Sequence, residues 1–375
     1  EEGYVEYARA IKRSLAIPVI GVGRIELERA DRLIGEGAMD FVALGRKLLA
    51  DPELPAKLGR ARPEEIRPCI YCYRCVGEVS VGRSAFCGVN PFTGHEHERQ
   101  LPPAARSRRL LVIGGGLAGM ETARLAALRG HAVVLAERRS RLGDESEDAP
   151  EFDGPIARYS RWLRRQLDGL PIEVRLSTEM KVGDVKHLAP EVVVVATGAG
   201  RRKFKVPVDA SISVLEPRAL RTTRQIEEEL GPSPATPDAA RAIVLLGSGA
   251  RALALADRLS RLGHSVRVLE AGETPGADIA LPLRWRTLHV LRERGVQFEL
   301  HVELIRIGAQ TIDYRAGGGD PTAVRFDVVV DCDARESDCD SIAAVCGEIH
   351  RVGDCAGGTT VEDAVRSAFE VACAI

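Results

Sequence analysis

No run of apolar residues in this sequence approaches the roughly 20 needed to cross a bilayer. No charged, apolar and small-residue leader stands at its start either. A membrane span and a secretory leader are therefore not expected, and the cytoplasm is the expected compartment. An excess of one charge is missing too, since 52 Lys and Arg stand against 54 Asp and Glu, a formal net charge of -2. Basic stretches such as residues 106–110 are short, so nucleic acid is not an expected partner. The first residue is Glu1 and not Met, which fits a truncated or processed chain. What is present, 375 residues of which 45% are hydrophobic and 28% charged, is enough for two or three domains with real cores.

Cysteine is present and unevenly placed. Of nine, four fall at Cys69, Cys72, Cys75 and Cys87, a C-x2-C-x2-C-x11-C spacing. In a reducing compartment such a group points to metal or redox chemistry and not to a disulfide framework. Thiolates two residues apart on a tight turn can converge on one inorganic centre, and a fourth from a short loop closes the cage. Three close cysteines and a distant fourth favour an iron-sulfur cluster, with structural zinc as the alternative. The other five, Cys332, Cys339, Cys346, Cys355 and Cys373, stand in apolar or loop context and read as buried structural thiols.

Directly after the cysteines, residues 107–137 combine an apolar strand from Leu110 to Ile113, the glycines Gly114, Gly116 and Gly119, a helical pattern from Leu117, and a second strand ending on Glu137. This is a dinucleotide-binding plan. Gly114 makes the tight turn, Gly116 lets backbone approach a pyrophosphate, Gly119 lets helix pack on strand, and Glu137 can accept ribose hydroxyls. Two later strands end in small-residue turns, at Gly198 and at Gly353-Asp354, where open parallel sheets bind ligands. Between them residues 241–270 repeat the plan with Gly247, Gly249 and Ala252, ending on Glu270. A second, inserted dinucleotide unit is expected there, with a vestigial, empty fold as the alternative. Glu270 would repel a 2'-phosphate, so NADH or ADP fits that unit better than NADPH.

The first 66 residues hold two apolar strands, each followed by Gly-Arg: Gly23-Arg24 and Gly45-Arg46. They look like the last two strand-helix units of a TIM barrel, whose final loops commonly hold phosphate. Two units cannot close a barrel. The other six are expected upstream or on another chain.

The ordered combination of barrel end, cysteine cluster, glycine fingerprint, Ala196-Thr197-Gly198, inserted unit and Gly353-Asp354-Cys355 resembles the C-terminal part of the 2,4-dienoyl-CoA reductase and trimethylamine dehydrogenase family, old yellow enzyme-like iron-sulfur flavoproteins. The resemblance covers essentially the whole chain. It implies an α/β architecture: a TIM-barrel end at 1–66, an iron-sulfur segment at 67–106, a doubly wound FAD- or ADP-binding domain at 107–235 and 325–375, and an NAD(P)-like Rossmann unit inserted at 236–324. It also implies FMN phosphate at Gly23, Arg24, Gly45 and Arg46, in a site incomplete within this chain. A 4Fe-4S cluster would sit on Cys69, Cys72, Cys75 and Cys87, with FAD or ADP at Gly114, Gly116, Gly119, Glu137, Gly198 and Asp354.

Departures from the family pattern sharpen these expectations. Two residues separate the second and third cysteines, as in the amine dehydrogenase branch; the dienoyl-CoA reductases have three. After Leu142-Gly143 come Asp144 and Glu145, two carboxylates unfavourable beside a pyrophosphate, which brings ADP forward as an occupant. The barrel strands that carry the family's acid-base residues are not in this sequence, so no catalytic residue is named. The implied activity is an oxidoreductase that relays electrons between FMN, the cluster, and FAD, NADH or a carrier protein. Its substrate would be an enone, a dienoyl thioester or an N-methylated amine. An oligomer, or a partner subunit supplying the rest of the barrel, is expected. The alternative is a zinc-stabilised nucleotide-binding module, or an electron-transfer subunit of a split enzyme.

Overall fold

The computed structural model describes residues 3–143, 154–198, 204–215, 223–231, 239–333 and 346–375. The chain divides into two compact units, Glu1–Cys69 and Ile70–Ile375.

In the first unit, α1 (Val5–Ser14), β1 (Ile20–Gly21), α2 (Leu27–Gly35), β2 (Phe41–Val42), α3 (Gly45–Ala50) and α4 (Leu54–Gly59) follow in order. β1 and β2 pair in parallel, Ile20 opposite Phe41 and Gly21 opposite Val42. A right-handed crossover through a helix is the expected way to join such strands. Val5, Ala8, Val19, Ile25, Leu33 and Met39 form the core. Only one face of this small sheet is covered: Ile20 and Phe41 remain 64% and 58% exposed. Among the described residues of this unit the two-sided burial that a complete barrel requires of its strands is not seen.

The second unit opens with α5 (Arg74–Ser80) and continues through β3 (Arg109–Ile113), α6 (Leu117–Leu128), β4 (Ala132–Ala136), α7 (Pro155–Asp168), β5 (Ile172–Arg175), α8 (Val182–Leu188) and β6 (Val192–Val195). After α9 (Thr223–Leu230) come β7 (Ala242–Leu246), α10 (Ala250–Arg261), β8 (Ser265–Leu269), α11 (Leu281–Glu293) and β9 (Gln297–Glu299). The strands β10 (Val302–Ile307), β11 (Thr311–Ala316), β12 (Thr322–Arg325), β13 (Val328–Asp331) and β14 (Ile349–Arg351) precede the last helix, α12 (Val361–Ala374).

These strands make three sheets. One is parallel, in the order β14-β6-β3-β4-β5; another is parallel, β13-β7-β8-β9; the third is antiparallel, β10-β11-β12. β6 is four buried valines, the continuous apolar run expected of a strand covered on both faces. α6 is buried nearly all round because Ala, Gly, Leu and Met make up most of its sequence. The sheet lies on one side of it, and α7 and α12 pack along the others. Its one buried charge pair, Glu121 with Arg124 at 2.7 Å, is closed by the Trp162 ring, 5.6 Å below the guanidinium. Such a pair is tolerated because both partners are satisfied.

One boundary differs from the sequence reading. β13 pairs with β7, Val328 opposite Ile243 through Asp331 opposite Leu246, so the inserted unit's sheet runs on past residue 324. A strand of three valines and an aspartate is equally suited to either parallel sheet, which is why composition did not place it. Among the described residues, no helix is long and apolar enough to cross a membrane.

Candidate functional site

The first glycine turn is built by close approach. Gly114 has φ +111, and a methyl group there would lie 2.3 Å from the Ala196 carbonyl oxygen, at the end of β6. At Gly119 a methyl group would lie 1.9 Å from the Gly114 carbonyl oxygen. Both positions exclude any side chain. Gly116, the residue before α6, is different: its φ is -74, and a methyl group built on it meets no described atom within 4 Å. The packing therefore does not demand glycine at 116. The partial positive charge at the amide end of a helix suits an anionic group brought close to such a position.

Glu137 closes this loop from the end of β4. It is buried, and its Oε2 accepts the Gly115 amide at 2.6 Å while Oε1 accepts the Arg139 amide at 2.9 Å. Gly198, with φ +79, follows β6 and has open space around its Cβ position. After β14, Gly353 takes φ +68, and a methyl group there would come within 2.7 Å of Ala118 Cβ, in the first turn of α6. Asp354 is thereby set beside the same turn. Gly114, Gly116, Gly119, Glu137, Gly198 and Asp354 thus gather at the carboxyl ends of adjacent parallel strands, the place where doubly wound sheets bind nucleotides. The cradle fits an adenine nucleotide. Asp144 and Glu145 lie outside the described residues.

Gly247 and Gly249 repeat the turn in the inserted unit, and Glu270 ends β8, where Ser248 donates its hydroxyl to it and Gly272 its amide at 2.7 Å. Sequence reasoning missed three side chains here. Arg251 bonds Asp354 at 2.5 Å, Asp278 accepts the Ala250 amide, and Asp333 presses on Gly247. Each is a single polar residue in a loop or first helical turn, with no periodic signal to mark it.

Cys69 is the last residue of the first unit; Cys72, Cys75 and Cys87 belong to the second. All four are half-buried. On either side of Cys72, Tyr71 and Tyr73 have φ 51 and 62, a left-handed conformation that costs an aromatic residue of order 1–3 kcal/mol and tends to mark functional sites. α5 begins directly after, with Cys75 in its first turn. Cys72 Sγ lies 3.1 Å from the Cβ position of Gly88, so glycine beside Cys87 leaves room for it. Donor chemistry and backbone suit a thiolate-held centre. Among the described residues, no three His, Cys, Asp or Glu side chains are drawn together as an ion site.

Arg74 ties this segment to α12 through Glu362 at 2.6 Å. Beside it a cavity of about 210 Å³ is lined by Phe86, Cys87, His95, Arg99, Glu362 and Arg366. The remaining described cysteines are half-buried, a little more open than expected. Cys355 donates to the Val195 and Val352 carbonyls at 3.0 Å, and burial with the neighbouring Asp331 and Asp333 pushes the Cys332 thiol up. These read as structural. Cys339 lies outside the described residues.

In the first unit Gly23 and Arg24 are consecutive left-handed residues, φ 117 and 53, at the end of β1. Gly45 and Arg46 open α3 just after β2. The two loops are joined by Lys47 Nζ and Glu26 Oε2 at 2.5 Å. The pair of loops suits a phosphate monoester.

Residues 3–65 match the NADH:flavin oxidoreductase / NADH oxidase family, residues 112–161 an NAD(P)-binding Rossmann-like domain, and residues 170–349 the pyridine nucleotide-disulphide oxidoreductases. A cinnamate reductase of Clostridium sporogenes is 34% identical over 207 residues, 54% of this chain and 31% of its own length. A bilirubin reductase of Mediterraneibacter gnavus is 29% identical over 356 residues, 93% of this chain and 54% of its own. The chain thus spans from under a third to just over half the length of these curated relatives. The structure of a 2-naphthoyl-CoA reductase with 2-naphthoyl-CoA superposes with a TM-score of 0.83 at 25% identity, over all of this chain and 56% of that one.

Proposed function

We propose that the chain, which resembles the flavin oxidoreductases of the dienoyl-CoA reductase and amine dehydrogenase kind, carries the electron-relay part of such an enzyme. Its thiols at 69, 72, 75 and 87 would hold a 4Fe-4S cluster, and its first nucleotide fold an FAD or ADP. When bound, the flavin exchanges electron pairs and the cluster single electrons. The chain's own residues do the positioning. The amide end of α6 would take the pyrophosphate and Glu137, which accepts the Gly115 amide, would receive the ribose hydroxyls, with Asp354 beside the same turn. Arg74 and Glu362 keep the cysteine segment against the helix that follows Asp354. Gly23, Arg24, Gly45 and Arg46 would receive the phosphate of FMN.

The observation that carries the reading is the pair of left-handed tyrosines around Cys72, set next to the nucleotide cradle by the Arg74–Glu362 bond. For the substrate we favour an unsaturated acyl compound conjugated to a carbonyl, as the names of the reductase relatives suggest. The two-residue spacing between Cys72 and Cys75 supports an N-methylated amine as the second reading. A cytoplasmic place and a carrier protein or barrel-completing partner belong to the same proposal. Iron and acid-labile sulfide in anaerobically purified protein test it. Four irons with matching sulfide per chain are expected of the 4Fe-4S assignment. Zinc at one equivalent without iron would end the relay reading and leave the nucleotide-binding module.

A further inference from the structure

The inserted unit repeats the plan of the first, yet its amide end is not open. Asp278, on the loop between β8 and α11, sets both carboxylate oxygens on the Ala250 amide, at 3.1 and 3.0 Å. Ala250 directly follows the second glycine of the turn. In a dinucleotide fold that part of the turn faces the pyrophosphate. A methyl group on Gly249 would lie 3.1 Å from Asp278 Oδ2, so the carboxylate fills the space that stays open beside Gly116. The loop is fastened there: the Gly276 amide donates to the Ser248 carbonyl at 2.9 Å and lies 3.2 Å from the Ser248 hydroxyl oxygen.

Two more carboxylates surround the same turn. Asp333 Oδ1 lies 2.2 Å from the Cβ position of Gly247, and Glu270 holds Ser248 and the Gly272 amide. The partial positive charge of the helix end is already answered by an anion of the chain itself. A pyrophosphate arriving there would have to displace Asp278 and then face Asp333 at short range.

We propose that Asp278 sets the ligand preference of the inserted unit: its carboxylate stands in for a dinucleotide's pyrophosphate, so the unit rejects NADH and NADPH, and nucleotides bind only at the first unit. This deepens the relay reading and rests on it for its consequence, which is that electrons enter or leave by a carrier or by the substrate and not by a nicotinamide held on α10. An ordinary side-chain cap is present in many helices; here the cap sits on the ligand side of a dinucleotide turn, which makes it a specificity element.

The test is NADH titration of the full chain with the first unit saturated by FAD, read by amide hydrogen exchange over residues 114–120 and 247–253. In the native chain NADH should leave 247–253 unprotected. Asp278→Ala should bind NADH at least roughly tenfold more tightly and protect 247–253, because the like charge is gone. Asp278→Asn, which keeps an acceptor for the Ala250 amide, should gain less; it also carries the test if the alanine variant does not fold. Equal protection of 247–253 in native and variant proteins, or no gain in either variant, would overturn the proposal. Failure of the flavin reading would appear elsewhere, as no FAD protection over 114–120.

Discussion

Arg74 Nε and Glu362 Oε2 meet at 2.6 Å across 288 residues of sequence. Arg74 opens the helix that carries Cys75, and Glu362 lies in the first turn of α12, just beyond the Asp354 turn. Both side chains are largely shielded, which makes this a stronger bond than a surface ion pair. Arg74→Ala and Glu362→Ala should each lower stability by about 1 to 2 kcal/mol. The double variant should be scarcely worse than either alone. Additive losses in denaturant titrations would show that the two residues do not act as a pair.

Cys72→Ser should strip the protein of iron and sulfide and of its broad visible absorbance, since a neutral hydroxyl cannot replace a thiolate ligand. Nucleotide binding, measured by calorimetry with ADP, should survive. Full iron content in that variant would contradict the cluster assignment.

Two glycines of one fingerprint should respond in opposite ways. Gly119→Ala places a methyl group 1.9 Å from a backbone oxygen and should destabilise the fold by about 1 to 3 kcal/mol. Gly116→Ala meets open space at an ordinary φ, so stability should stay within about 0.5 kcal/mol. ADP and FAD affinity should nonetheless fall sharply. Thermal denaturation beside a binding isotherm separates the two effects.

Glu137→Gln removes the charge that receives the ribose hydroxyls. The cost should be about 1.5 to 3 kcal/mol, a roughly ten- to hundredfold loss in ADP affinity. An unchanged isotherm would place the ribose elsewhere.

Acid should loosen the protein through Glu348. Hydrogen bonds from Arg108 and His350 hold its carboxyl down at about 2, from an ordinary 4.5. A carboxyl lowered by folding stabilises the native state above its unfolded pKa and loses that contribution as pH falls, here through the window from 4.5 towards 2. Glu348→Gln should lower stability at neutral pH, where the carboxylate's contribution is present, and flatten the acid limb of a stability–pH curve in that window, so that the two curves converge in acid. An identical acid limb would show the bond to be inconsequential.

Much of the first nucleotide cradle was legible because its geometry admits one residue type. Gly114 must turn with positive φ and Gly119 must touch backbone, so both appear as glycines at fixed spacing after an apolar strand. The inserted unit announced itself the same way at Gly247 and Gly249. Asp278, Asp333 and Arg251 could not be read, since a lone polar residue in a loop gains its role only when the topology brings it to a distant turn. The left-handed Arg24, Tyr71 and Tyr73 were hidden for a related reason: nothing in a side chain advertises a backbone strained against its own preference. The end of the inserted unit was missed because Val328 to Val330 suit either sheet equally well.

The register of Val193 with Ile349 sets an order of events during synthesis. β6 leaves the ribosome early, but its outer neighbour β14 is made only after the whole inserted unit has followed. Until then the edge of β6 faces solvent as an unpaired template, and Asp354 is absent from the nucleotide cradle. The inserted unit, whose own parallel sheet is complete at Asp331, can therefore settle first. Nascent chains stalled before residue 349 should expose a sticky strand that chaperones recognise, and a nucleotide added during translation should gain a hold only once the last strand has docked.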